Sequence, residues 1–478
     1  MSEPASTQFS EPLPRRAFLA RTGQTALGMT ALGALLGACG GSSKQGAGGK
    51  DGPQRTVGPA VGTVTLWYTI VNEEQREYYV RSNIEEFRKS HPRITLKASQ
   101  KPVETADRVT QTALQAGSAP DIVIASGVAQ ALKYVEADYL LELDAYAEHY
   151  NWPDKVLRWA LDAGRVDGKL YSVPTNYETI VVFYNRSLFE QRGWHPPNNR
   201  AELEALAQDA QASKVVPFMA GNAEWRPATE WFVSAFLNHG AGPQAVYEAL
   251  RGERPWTDER FLEAVTLMSD WFKRGWFGGG VKQYFTNRFA PQYAAFAEGR
   301  AAMNLEGSWA FESIPGAFEG QAEWDWFPVP PLLDGAPSDL YSLATGGTMS
   351  INARSEAPDA AAAYLDFQFS TPQRVAAQLA EVGIAPPPVV LERSDFPTKA
   401  DERVLRLYTS LGAATSTGTF GYTTWTFWPP RSNAYIYEQM EKVLVGDLEP
   451  REYLEGLDRL FRSELRRDRV PPAPPQRS

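Results

Sequence analysis

The alternation of short apolar runs with amphipathic stretches between residues 63 and 137 constrains the fold of this chain more than any other feature. Thr63–Tyr68 is rich in β-branched and aromatic residues and predicts a strand. Asn72 can cap a following helix, with Gln75 three residues on and Val80, Ile84 and Phe87 at helical spacing. His91-Pro92 ends that helix, and Arg93–Lys97 predicts the next strand. A helix over 104–116, the turn Gly117-Ser-Ala-Pro-Asp121, a strand over Asp121–Ala125 and a helix over 127–137 complete the run. A β-α-β-α-β order dictates a parallel sheet covered by helices. Ligands of such sheets bind beyond the carboxyl ends of the strands.

Further along, Val166–Pro174 predicts a hairpin turning at Asp167-Gly168, and Thr179–Tyr184 predicts a buried strand. Helices are expected over 200–213, 227–238, 258–274 and 290–298, with a strand at Ala301–Leu305 before Glu306-Gly307-Ser308-Trp309. A strand over Ala344–Ile351 contains Gly346-Gly347, and helices follow near 358–370, 372–382, 432–445 and 450–468. In the last of these, Leu454, Leu457, Phe461 and Leu465 share one face. Residues 471–478, rich in proline, are expected to be disordered.

The first 38 residues carry a positive region with Arg15-Arg16, a short apolar core, and small residues ending at Cys39, the order of a secretory signal. The twin arginine resembles a Tat-type address, with the general secretory route as the alternative. Leu36-Gly37-Ala38-Cys39 resembles a bacterial lipobox, which implies cleavage before Cys39 and lipidation of its thiol. Two acyl chains anchor stably, since each buried methylene contributes about 0.8 kcal/mol. Residues 39–60 then form a Gly- and Ser-rich tether. The expected location is extracytoplasmic, on the outer face of the cell membrane or in the periplasm.

The chain beyond residue 38 has 44 basic and 55 acidic residues, which argues against nucleic acid as a partner. With one cysteine in 478 residues there is no intramolecular disulfide, so stability must come from a large core. The 14 tryptophans include several beside turn-forming residues, where an indole face can stack on the apolar face of a sugar ring. Trp67 is expected in the core.

Four stretches in fixed order resemble the extracellular solute-binding proteins of the maltose-binding type. They are Gly117–Val123, Asp167–Pro174 with Phe183–Phe189 and Gly193–Pro197, Phe296–Trp309, and Gly346–Ile351 with Ser355–Leu365. The resemblance implies an α/β, two-lobed periplasmic-binding-protein fold of type II. Each lobe would be a central, mostly parallel sheet covered by helices, joined to the other by a hinge. Mapped onto this chain, the first lobe is 63–176 plus 352–392 and the second is 180–344 plus 400–470. The crossings fall near 176–180, 344–351 and 390–400.

Carried over by position, the resemblance implies ligand contacts at Tyr68, Asn72, Glu73, Ser126 and Gly127 in the first lobe and at Tyr177 and Glu178 in the hinge. In the second lobe it implies Trp225, Trp231, Trp309, Tyr422, Trp425 and Arg431, with Gly347 allowing close backbone approach. The maltose binder has an aromatic residue where this chain has Ala125, so its stacking pattern is not kept. The resemblance further implies a monomer that takes a small solute, a mono- or oligosaccharide, to the membrane subunits of an ABC importer.

No cofactor is expected, and no metal site built from histidines, because His91, His149, His195 and His239 are scattered, while a carboxylate site for calcium stays open at this point. No Gly-x-Ser-x-Gly, phosphate-loop or His-Glu-x-x-His motif is present, so an enzyme is not expected. A surface glycoside hydrolase would need two carboxylates flanking one bond. Within the same fold, a polyamine, a glycerol phosphate or an iron chelate is the alternative solute. An anion would want basic groups, and Arg431 is the one placed near the cleft.

Overall fold

A computed structural model describes residues 55–70, 72–334 and 336–476. The signal, Cys39 and nearly all of the tether lie outside the described residues. In chain order the strands are β1 (Gly62–Tyr68), β2 (Ile94–Gln100) and β3 (Ile122–Ala125); the hairpin β4 (Arg165–Val166) and β5 (Lys169–Leu170); and β6 (Val173–Pro174). They continue with β7 (Ile180–Asn185), β8 (Val216–Met219), β9 (Ala301–Gly307), β10 (Trp324–Phe327), β11 (Tyr341–Leu343), β12 (Thr348–Ile351) and β13 (Phe420–Tyr422).

Two larger sheets organise nine of these strands, and β11 with β13 and β4 with β5 form two-stranded sheets. The first has the order β2-β1-β3-β12-β6 and the second β10-β7-β9-β8. Strands linked through a helix run parallel: β1 with β2, β1 with β3, and β8 with β9. β12 runs antiparallel to β3, and β7 to β9, so both sheets are mixed. The reason is connectivity, since β12 and β7 enter their sheets from the opposite lobe rather than through a right-handed crossover.

Each sheet has its own core. Val64, Leu66, Ile122 and Ile351 pack with the helix Pro358–Phe367 in the first. β7 and β9, buried on both faces, centre the second. Strand alternation in β1 buries Val64, Leu66 and Tyr68 and leaves Trp67 half-buried with Lys101 over its ring. That reverses the expectation for this pair.

Several quoted motifs prove to be scaffolding. Asp121 accepts from the Thr65 amide at 2.8 Å and the Ser355 hydroxyl at 2.6 Å, tying β1 and β3 to the approach of helix Pro358–Phe367. Asn185 caps the helix Arg186–Arg192 by accepting from the Leu188 amide at 2.8 Å and donates to the Phe296 carbonyl.

The chain passes between the sheets at adjacent segments. Glu178 and Ala344 form an isolated antiparallel bridge with N–H to O distances of 3.0 and 3.1 Å. The Gly347 amide donates to the Asn176 side chain at 2.6 Å, and its carbonyl accepts from the Thr175 amide at 2.9 Å. The Tyr177 amide donates to the Pro386 carbonyl at 2.6 Å, which ties in the stretch leading to the third crossing. A Cβ at Gly347 would collide with the Thr175 hydroxyl, so the close approach at this glycine is between the two crossing segments.

Among the described residues, the hinge carboxyls have no basic neighbour. Glu178 is 4% exposed, accepts from Asn176 Nδ2 at 2.6 Å, and is pushed up to about 8 by burial and by the nearby charge of Glu312. Glu312 is also raised to about 8 by burial, against a hydrogen bond from the Gln75 side chain of the first lobe. Gln75 in turn donates to the Val382 carbonyl at 3.1 Å.

Three expectations are corrected. The helix after Asn72 is not continuous: Glu73–Tyr79 passes through a π-helical segment, Val80–Glu85, before Glu86–Ser90. The predicted strand over 344–351 shrinks to β12, because Gly346-Gly347 belong to the crossing. Residues 471–476 of the tail are ordered. Val470 and Ala473 pack on the second core, the Tyr422 hydroxyl donates to the Pro474 carbonyl at 2.6 Å, and Gln476 donates to the Phe420 carbonyl at 2.6 Å. Proline-rich chain loses little entropy on docking, and its free carbonyls suit a buried hydroxyl.

Two outcomes are expected. Deleting residues 470–478 removes the Tyr422 and Phe420 contacts, so it costs about 1–3 kcal/mol and lowers the thermal midpoint by a few degrees. An unchanged midpoint in calorimetry would show the docked tail to be energetically idle. For Glu178 the native carboxyl is raised from its ordinary 4.5 to about 8, so the native state holds its proton more tightly than the unfolded chain. That stability is full below 4.5 and is lost as pH rises through about 8. Glu178→Gln therefore flattens the fall of the thermal midpoint across this window, and a slope identical to that of the unaltered chain would refute the assignment.

Candidate ligand-binding crevice

Aromatic side chains of the second sheet's helices and turns converge beside β9. Trp231, in the helix Thr229–Phe236, stacks on Phe289 with centroids 6.2 Å apart and an interplanar angle of 22°. Its other neighbour is Trp309, in the 3₁₀ turn Ser308–Glu312, at 5.1 Å. Trp309 meets Trp425 edge to face at 5.9 Å. Offset and edge contacts of this kind add about 0.5–1.5 kcal/mol each beyond area burial.

A narrow crevice opens along this row, lined by Trp231, Phe289, Gln292, Asn304 and Glu306 together with Gly221 and the backbone around it. Strand alternation places Asn304 and Glu306 on one face of β9. The Glu306 carboxylate is 4% exposed and is held from three sides. It accepts from the Tyr293 hydroxyl at 2.9 and 3.0 Å, from Asn304 Nδ2 at 2.6 Å and from Trp309 Nε1 at 3.0 Å. Burial raises its pKa against the lowering effect of those hydrogen bonds. Gln292 is 7% exposed, and neither its Oε1 nor its Nε2 has a partner. A buried amide left unpaired costs about 1–3 kcal/mol, which a ligand hydroxyl or amine would recover.

The first lobe touches the end of the aromatic row at Trp425. Gly127 has φ +89°, and a Cβ there would lie 3.0 Å from the Trp425 carbonyl and 3.4 Å from its ring, so only glycine allows this contact. Beside it, the Ser126 amide donates to Asp107 at 3.2 Å and the Ser126 hydroxyl bonds the same carboxylate. Glu230, 5% exposed and raised to about 8 by burial, accepts from the Thr424 hydroxyl at 3.4 Å on the second-lobe side.

Of the residues nominated from sequence, the structure brings together Trp231, Trp309, Trp425 and Gly127, with Ser126 adjoining. Glu178 and Gly347 lie in the hinge. The others sit elsewhere. Tyr68 is 8% exposed and stacks on Tyr79 at 4.8 Å inside the first core. Asn72 serves as the helix cap, accepting from the Gln75 amide at 2.9 Å, and Glu73 is exposed and paired with Arg76. Tyr177 is 3% exposed, its hydroxyl shared between the Leu411 carbonyl and Thr415. Trp225 is half-buried ahead of the turn Arg226–Ala228 and is not among the lining residues. Tyr422 is 1% exposed beneath the docked tail, and Arg431 is exposed on the helix Pro430–Val445.

Phe289, Gln292, Asn304 and Glu306 were not nominated. The signal was present for two of them, since Asn304 and Glu306 are polar residues at period two inside an otherwise apolar strand. A carboxylate is almost never fully buried unless paired, and an unexpected buried polar residue is the informative one.

The family model for bacterial extracellular solute-binding proteins matches residues 72–375. The maltodextrin-binding protein MdxE of Bacillus subtilis is 25% identical over 292 residues, covering 58% of this chain and 63% of that protein. The multiple sugar-binding protein of Streptococcus mutans is 23% identical over 52% of this chain and 59% of its own length. The chain thus spans about three fifths of these curated relatives. Among solved structures, a chitin oligosaccharide binding protein superposes with a TM-score of 0.69 at 22% identity over 84% of this chain and 99% of that one. The GacH receptor of Streptomyces glaucescens, solved unliganded and with acarbose, gives 0.66 at 23% identity over 85% and 99%. At these identities the likeness is one of fold. With its two hinged sheets and a family match over more than half its length, the chain belongs to the bacterial extracellular solute-binding proteins.

Proposed function

We propose that this chain is the lipid-anchored, extracytoplasmic solute-binding component of an ABC importer, that its solute is a carbohydrate, and that it hands the solute to the permease from the crevice beside β9. The observation that carries the reading is Trp231 held between Phe289 and Trp309, directly beside Gln292 with both amide atoms unpaired. A sugar ring presents an apolar C–H face to the indole and hydroxyls to the amide at its edge. Few polar groups on an apolar wall is the usual make-up of a small-molecule site. Sugar names among the relatives support the same reading. Phosphates and other anionic solutes are disfavoured, because Glu306 is the charged group at the crevice and no basic side chain lines it. The hinge provides the closure that a permease would read.

The solute test is calorimetric titration of mono-, di- and oligosaccharides. A sugar is expected to bind, and Trp231→Ala is expected to weaken it roughly 10- to 100-fold, about 1.4–2.7 kcal/mol, while the lost contacts with Phe289 and Trp309 lower the ligand-free melting temperature by several degrees. Undiminished affinity in that variant would remove the crevice from the site. For the anchor, Cys39→Ser is expected to move the protein from the membrane fraction to the soluble extracytoplasmic fraction. Retention in the membrane fraction would argue against lipidation at this residue.

A further inference from the structure

Building on the sugar-binding reading, we infer that the solute carries a protonated amine, so that the crevice takes an amine-bearing saccharide in preference to a neutral one.

The argument is one of charge balance. The donors to Glu306 are a phenol, a carboxamide and an indole, all neutral. They orient the carboxylate but do not cancel its charge. Nothing with a positive charge is present among the lining residues. Glu312 lies within electrostatic reach of Glu306, and Glu178 within reach of Glu312. The groups facing those two carboxyls are Gln75, Asn176, Tyr293 and Tyr408, again without a cation. Lys133 acts on Asp107 and Glu230. Burying an uncompensated ion costs several kcal/mol, so burial makes the Glu306 carboxyl hold its proton more tightly, a penalty that a ligand cation would relieve.

Gln292 supplies an observation independent of charge. Its amide is more than nine-tenths buried, unpartnered at both atoms and set in the wall beside Glu306. One oxygen acceptor and one carboxylate, set beside the stacked pair Trp231 and Phe289, form surroundings that suit an ammonium group through charge-assisted hydrogen bonds. The three donors make four contacts with the carboxylate, two on each oxygen, because the Tyr293 hydroxyl is shared between them. A neutral sugar hydroxyl could pair with Gln292 but would leave the Glu306 charge standing. A ligand ammonium satisfies both, and the free Gln292 Nε2 remains to donate to a ring hydroxyl.

The experiment compares saccharides of one length and linkage that differ in the substituent at carbon 2, charged in one series and neutral in two: glucosamine oligomers of two to four residues, their N-acetylated counterparts, and the corresponding glucose oligomers. Each is titrated calorimetrically into the unaltered protein at a pH where the amine is protonated, with a linear polyamine as a fourth probe. The glucosamine series is expected to bind at least about tenfold more tightly than either neutral series. Glu306→Gln is expected to lower that ratio by about tenfold or more. If that variant misfolds by circular dichroism, Glu312→Gln is expected to lower the ratio in the same direction. Equal or tighter binding of a neutral series overturns the amine preference and leaves the carbohydrate reading standing. Binding of the polyamine alone overturns the carbohydrate reading and keeps the cation preference. Failure of all four probes to bind overturns both.

Discussion

The pairing of Glu178 with Ala344 holds the molecule's two halves in register. Two backbone hydrogen bonds, 3.0 and 3.1 Å long, join segments that run in opposite directions between the sheets. β7 and β12 each begin a few residues beyond this pair. Tyr177, one residue away, reaches Pro386 through its amide, so a third stretch of chain is bound to the same point. Short, hydrogen-bonded crossings of this kind let φ/ψ change at a few residues while each lobe moves as a body. A bulky residue at 346 or 347 would break the arrangement, because Gly346 lies against the Glu178 carboxyl and Gly347 against Thr175.

The same alignment explains why polar groups gather where they do. The crossings deliver β9 and its following turn to the junction between lobes, so Glu306, Trp309 and Glu312 are presented where Gln75 and Gly127 arrive from the other side. Burial of carboxyls there is not a stabilising feature. Each raises its pKa because the charged form has lost water and gained no cation, which is a cost to the folded state that grows with pH. Proteins retain such costs at sites that bind something. Gln292, with its amide unpaired, is a neutral example of the same economy of stability.

Much of the fold was legible because it rests on local signals. The three parallel strands of the first sheet, the Asp167-Gly168 turn with both residues at positive φ, and the amphipathic helix Pro450–Leu465 follow from period and turn chemistry. The stretches that carried the family resemblance were legible for a related reason: Asp121, Asn185 and Ser355 serve backbone geometry. The helix Glu402–Thr417 was not foreseen, since its second half, Ala413–Thr417, is small and β-branched and is held by tertiary packing of Leu407, Tyr408 and Leu411. Site residues were read less well. Tyr68, Tyr177 and Tyr422 have the right chemistry for a ligand, but which face of an element is buried depends on a neighbour far away in sequence. For Tyr422 that neighbour is the tail, whose order no composition rule indicates.

Trp425 shows how the scaffold and the site share parts. Its ring edge meets Trp309, and its backbone carbonyl and side chain touch Gly127 of the other lobe. Separation of the lobes must therefore uncover Trp425 and remove one neighbour from the aromatic row. On the proposed reading, a ligand that rests on Trp231 and Trp309 would strengthen the row that Trp425 completes, and so would favour the arrangement in which Gly127 is seated. Differential contact of this sort is what lets a small solute shift a two-lobed equilibrium, since a ligand with equal affinity for both states shifts nothing. The coupling needs no long relay: one indole lies between the crevice and the opposing lobe, and the glycine opposite it is the position at which any side chain would hold the two apart.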